Sequence, residues 1–119
     1  MIGLYVFIGG GIGSLARFGL SRILLKQSEV FPWATIAANI CASLILAVLI
    51  FLLPEKFQSD LVKYMLMVGF CGGFSTFSTF GFELFDLMKN GSPLMALAYL
   101  CTSVIVSVGL FWMIAQKIA

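Results

Sequence analysis

The sequence predicts an all-α membrane protein of four transmembrane helices, and three observations carry that reading. Apolar residues make up 61% of the chain and charged residues only 10%, with a mean hydropathy of +1.11. A soluble domain carries about a quarter charged residues. The apolar residues fall into four stretches, Ile2–Leu25, Trp33–Leu53, Leu61–Leu87 and Leu94–Ala115. Each can reach the ~20 residues that cross about 30 Å of hydrocarbon. The connections "KQSEVFP", "PEKFQSD" and "KNGSP" are short and hold the helix breakers, so neighbouring helices run antiparallel. The chain, 1–119, reads as one four-helix transmembrane domain.

The first stretch has no basic region before it, and Arg17 and Arg22 sit near its end. It therefore reads as a retained span and not as a cleaved signal. Within it, Gly9 with Gly13 and Gly10 with Ser14 form small-xxx-small pairs that let helix backbones approach closely. A GxGxxA match from Gly11 to Ala16 lacks the preceding strand that a dinucleotide site needs and is set aside. Arg17 lies deep for a guanidinium. It either snorkels to the headgroups or lines a water-filled vestibule.

In the second stretch Thr35, Asn39 and Ser43 recur every fourth residue and share one helical stripe. Asn39 is the costly member, because its amide needs partners within lipid. It either clamps a neighbouring helix or offers its NH₂ donors to something passing.

The third stretch contains "GFCGGFSTFSTFGFE", Gly69 to Glu83. Its glycines allow two readings. Gly69 and Gly73 can serve GxxxG packing, or the cluster with Gly72 can tolerate non-helical backbone at mid-membrane. The second reading expects Gly72 to adopt a conformation that residues with a Cβ resist. Irregular backbone at that depth must face protein, water or an ion. Ser75, Thr76, Ser78 and Thr79 then interleave with Phe74, Phe77 and Phe80. Ring edges carry partial positive charge and hydroxyls donate. This combination suits a pathway for a small anion.

The fourth stretch supplies a second polar stripe, Tyr99, Ser103 and Ser107, with Thr102 adjacent. Hydroxyls of this kind either back-bond to their own helix or line a shared conduit. No ring of carboxylates accompanies them, so the inventory fits an anion better than a metal cation. Three cysteines, Cys41, Cys71 and Cys101, lie in apolar stretches without CxxC spacing. They are expected to be small buried hydrophobes and not a disulfide framework or zinc site. The absence of histidine removes imidazole ligation and histidine proton relays. Nothing supports an enzyme, and nothing points to nucleic acid.

Charge gives almost no orientation. Lys56, Lys63 and Lys117 mark one face, and Arg22, Lys26 and Lys89 the other, with Arg17 deeper. The positive-inside rule is thus nearly silent, which fits insertion in both directions and pairing of the chain with an inverted copy.

These residues resemble the small CrcB-type (Fluc) fluoride channels. "GFCGGFSTFSTFGFE" is similar to that family's GxxGGxTTFSTFxxE, "GGGIGSLARF" to GGxxGAxxR, and "ATIAANICASL" to GTxxVNxxGSF. Departures are Ser75 for threonine, Ala34 and Ala42 for glycines, and Leu44 for phenylalanine. The resemblance implies a dual-topology antiparallel homodimer with a broken third helix and two anion pores in the bacterial cytoplasmic (inner) membrane. It implies a central structural Na⁺ on the backbone carbonyls of Gly72 and Ser75 from both subunits. It places Phe77 and Phe80 in an aromatic box, has Asn39 donate to the ion, and continues a polar track through Tyr99, Ser103 and Ser107. Ser78 and Thr79 belong to the same hydroxyl run, and Arg17 and Glu83 sit toward pore ends. The implied activity is passive, selective export of fluoride, which enters from acidic surroundings as HF and is trapped inside as the anion. The alternative is a small dual-topology multidrug or cation antiporter. That family uses an acidic residue in its first helix, and this first helix has none.

Overall fold

A computed structural model describes residues 1–24 and 31–117. Helix α1 spans Ile2–Leu24. Helix α2 spans Trp33–Ala47 and continues as a π turn, Val48–Leu52. A short 3-10 turn, Glu55–Phe57, occupies the next connection. Helix α3 winds with π-type bonding over Leu61–Cys71 and runs into one α turn, Gly72–Phe74. Helix α4 spans Ser78–Lys89 and α5 spans Pro93–Gln116. Four segments, Ile2–Leu24, Trp33–Leu52, Leu61–Lys89 and Pro93–Gln116, are long and apolar enough to cross a membrane. This is the fold of a multi-pass membrane protein. The third segment ends at Lys89 where the sequence suggested Leu87, and Leu25 and Lys26 lie outside the described residues.

The connections close by local chemistry. Gln58 Nε2 donates to the carbonyls of Leu53 at 2.9 Å and Leu49 at 3.3 Å, capping the last turn of α2. Between α4 and α5, Gly91 takes φ 80°. Ser92 N–H donates to Leu87 and Gly91 N–H to Met88, which is the Schellman arrangement that ends a helix on a left-handed residue. Pro93 then starts α5, where its missing N–H costs nothing.

Glycine sets the deepest contact. A Cβ on Gly9 would strike the Met65 carbonyl, and one on Gly13 the Phe70 carbonyl. One on Gly69 would lie 2.9 Å from the Val6 carbonyl, and one on Gly73 would strike the Gly10 carbonyl. Helices α1 and α3 therefore cross backbone to backbone, as small-xxx-small pairs allow. A second layer forms where Ala38, Ala42 and Phe74 bury against Phe70, Ala16 and Leu20. Ala42 is only 3% exposed within this cluster. A third centres on Tyr99, with Ile36, Phe80, Leu87 and Ala96 around it. The outer faces stay apolar: Phe7, Phe18, Phe82, Phe85 and Trp112 are all exposed. Cys71 is buried as expected, but Cys41 and Cys101 are free and exposed. They sit on those outer faces, where an apolar solvent accepts a thiol as readily as a core does.

Candidate functional site

The site forms where the third span departs from helical geometry. Helix α3 ends at Phe74, Ser75 is extended at φ −84° and ψ 162°, and α4 begins at Ser78. Gly72 is not the unusual residue: its φ −65° and ψ −37° are those of an ordinary helix, and the space at its Cβ is open. The expectation for Gly72 is thus corrected to Ser75. The cause is hydrogen bonding and not φ freedom. Ser75 Oγ donates at 2.9 Å to the Cys71 carbonyl, which also accepts the Ser75 N–H at 3.1 Å. Such back-bonding competes with the helical ladder. Thr76 N–H leaves the ladder and donates to Asn39 Oδ1 at 2.8 Å, while Asn39 Nδ2 donates to the Thr76 carbonyl at 3.2 Å. Of the two roles open to Asn39, the clamp is therefore formed, and it uses one of the two Nδ2 hydrogens.

The Gly72 and Ser75 carbonyls lose their regular donors as a result. In an α-helix the Thr76 N–H closes on Gly72 and the Thr79 N–H on Ser75. Here the first goes to Asn39 and the second to Thr76 Oγ1 at 3.3 Å. Arg17 neither snorkels freely nor lines the groove described next. Its Nε donates to the Gly73 carbonyl at 3.4 Å.

An open groove of about 350 Å³ runs beside these groups. Asn39 and Ser43 line it from α2, Ser75, Thr76 and Phe77 from the break, and Phe80 from α4. Helix α5 contributes Ser103 and Ser107, with Val104 and Val108. Six of the site candidates expected from the sequence meet there: Asn39, Ser75, Phe77, Phe80, Ser103 and Ser107. Phe77 is 83% exposed and Phe80 only 7%, with ring centroids 6.0 Å apart and planes tilted by 44°. Ser103 Oγ is buried without a hydrogen-bond partner among the described residues. A buried hydroxyl left in that state is costly and invites a ligand or water.

Gly72, Ser78, Thr79, Tyr99, Glu83 and Arg17 do not line the groove. Tyr99 lies behind it, fully buried, its ring 4.9 Å from that of Phe80 in an edge-on contact. Its hydroxyl donates to Glu83 Oε1 at 2.9 Å, so this carboxylate is held by a phenol. Ser43 and Thr76 are the polar groove residues not ranked as site candidates from sequence. Both carried a signal, Ser43 through its place on the Asn39 stripe and Thr76 through the hydroxyl run.

The family described as CrcB-like protein, Camphor Resistance (CrcB), matches residues 4–115. The chain belongs to this CrcB-like family. Among its relatives, a protein of Methylobacterium radiotolerans named fluoride-specific ion channel FluC is 38% identical over 108 residues, covering 88% of this chain and 76% of the relative. Proteins of the same name are 37% identical in Leptospira interrogans, covering 93% and 92%, and 41% identical in Pyrococcus abyssi, covering 92% and 89%. Within this CrcB-like chain the signature divides its labour. Gly69 and Gly73 seat α3 on α1, Ser75 and Thr76 turn the backbone, and Phe77 and Phe80 face each other at the groove.

Proposed function

We propose that this chain is the subunit of a fluoride-selective channel that lets fluoride leave the cytoplasm passively across the cytoplasmic membrane. The names of its relatives support the class, and the groove is the observation that carries the reading. Its polar groups are hydroxyls and an amide, its apolar walls include two aromatic rings, and no ionisable side chain among the described residues lines it. Neutral donors replace part of a small anion's hydration without trapping it, and a narrow aromatic wall penalises larger halides. Asn39 keeps one Nδ2 hydrogen for the ion, and the unpartnered Ser103 hydroxyl offers another donor. HF that enters from acidic surroundings ionises inside, and an inside-negative potential then drives the anion outward. The antiporter reading loses support because Glu83, the carboxylate it would need, is bonded to Tyr99.

Completion of the pore rests on a second, inverted copy. The near-equal charge on the two faces, the open side of the groove and the exposed Phe77 ring support that assembly. Adding lysines to one face should fix one orientation, and such a variant should conduct only when co-expressed with its oppositely fixed twin. Conduction by either alone contradicts the inverted pair. The backbone fits a shared Na⁺, since Gly72 and Ser75 offer carbonyls whose helical donors are diverted and Gly72 is exposed on the protomer. When bound, Na⁺ supplies fixed positive charge that ties such carbonyls together. Purified protein in liposomes loaded with potassium fluoride should release fluoride once an ionophore lets K⁺ leave to balance the charge, with no proton gradient, while chloride-loaded vesicles stay full. Release that requires a proton gradient, or that runs at full rate without the ionophore as an electroneutral exchange would, would overturn the channel reading.

A further inference from the structure

We propose that Arg17 is a positioning residue for the break in the third span, acting through its Nε–H and not through its charge. The Gly73 carbonyl belongs to the last turn of α3, and its regular donor would be the Phe77 N–H. Phe77 lies across the break, beyond the extended Ser75. A carbonyl left bare at this depth has no water to turn to. Arg17 Nε takes the vacant place at 3.4 Å.

The donor is delivered by a rigid support. Arg17 lies one turn beyond Gly13 on the same stripe of α1. At Gly13 the two backbones are in contact, with the Phe74 nitrogen 2.8 Å from where a Cβ would stand. Ala16 and Leu20 pack against the cluster of Ala38, Ala42 and Phe74. Among the described residues no carboxylate pairs with Arg17, so the Gly73 carbonyl is the contact that orients its guanidinium. Asn39 holds the other side of the break through Thr76. The two side chains thus grip consecutive parts of the departing backbone from two different helices. With Gly73 and Thr76 so held, the Gly72 and Ser75 carbonyls remain without their helical donors. Positive charge near a helix C-terminus adds a favourable term, but direction is what the Nε contact supplies.

Two substitutions separate direction from charge. Arg17→Gln puts an amide nitrogen on Cδ, where the arginine Nε stands, and removes the charge. Arg17→Lys keeps the charge and puts a methylene there. Thermal unfolding of the detergent-solubilised protein and fluoride flux from liposomes are measured for both. The unfolding arm is independent of the channel reading, whereas the flux arm rests on it. If the parent protein carries no fluoride, that reading fails and Arg17 is judged on unfolding alone. Arg17→Gln should stay within about twofold of the parent in flux, and Arg17→Lys should fall by roughly tenfold with a lower unfolding temperature, as expected for an orphaned carbonyl. Flux of Arg17→Gln should keep the parent's dependence on ionic strength. The reverse order, or equal behaviour of the two variants, overturns the proposal and assigns Arg17 an electrostatic or purely space-filling role.

Discussion

Replacing Asn39 by leucine preserves side-chain volume and removes both bonds to Thr76, the acceptor at 2.8 Å and the donor at 3.2 Å. The cost can be bounded from two directions. Leaving a buried backbone group without a partner costs about 1–3 kcal/mol, and here two are left. Side-chain hydrogen bonds between membrane helices average only about 0.6 kcal/mol, because other partners usually step in. At Thr76 such substitution is restricted, because Ser75 is extended and takes Thr76 out of the regular turn of α3. Water in the open groove relieves part of the loss, so about 2–3 kcal/mol is expected. For a chain of this size that lowers the unfolding temperature on the order of 10 °C. The assay is thermal unfolding of the detergent-solubilised protein, followed by flux in liposomes. Ser43→Ala, on the same stripe and also in the groove, is the control and should change stability by less than about 0.5 kcal/mol. Asn39→Leu unfolding within two or so degrees of the parent would refute the clamp.

Phe77→Ile should reduce fluoride flux strongly yet leave unfolding unchanged, because the Phe77 ring is 83% exposed. Phe80→Ile should reduce both, since that ring is buried against Tyr99 at 4.9 Å; normal flux in both variants would show that the rings only pack. Gly13→Ala drives a methyl into the Phe70 backbone and should destabilise by about 1–3 kcal/mol, the usual range for overpacking. Gly11→Ala, with open space at its Cβ, should be neutral or stabilising by up to about 1 kcal/mol, and equal melting of the two would contradict the backbone crossing. Ser75→Ala removes the bond to Cys71 but keeps the Ser75 carbonyl. Any Na⁺ dependence of stability should therefore survive in it, and its loss would point to a side-chain cation site.

Much of the fold was legible because lipid imposes few choices. Four apolar stretches separated by breakers become four antiparallel spans, and Gly9 with Gly13 and Gly69 with Gly73 announce a close crossing through their four-residue spacing. The polar stripes of α2 and α5 were legible for the same reason, and they meet at Asn39, Ser103 and Ser107. The location of the break was not. Glycine content pointed to Gly72, whereas the chain turns at Ser75, because the deciding bonds come from a hydroxyl and from an amide far away in sequence. Pairing of Tyr99 with Glu83 was equally hidden, since it depends on how the turn at Gly91 brings α5 back along α4. The exposure of Cys41 and Cys101 reflects a limit of composition: lipid-facing and buried positions look alike in apolar content.

Single-channel recording with a fluoride gradient in one experiment and a chloride gradient in another tests the central claim in one number. With fluoride tenfold higher on one side and chloride balanced, a passive fluoride-selective pore should reverse its current near ~59 mV, the single-charge value for a tenfold ratio. With the chloride gradient alone, current should be absent. A reversal potential near zero under the fluoride gradient, or one that follows chloride, protons or sodium, would contradict the account.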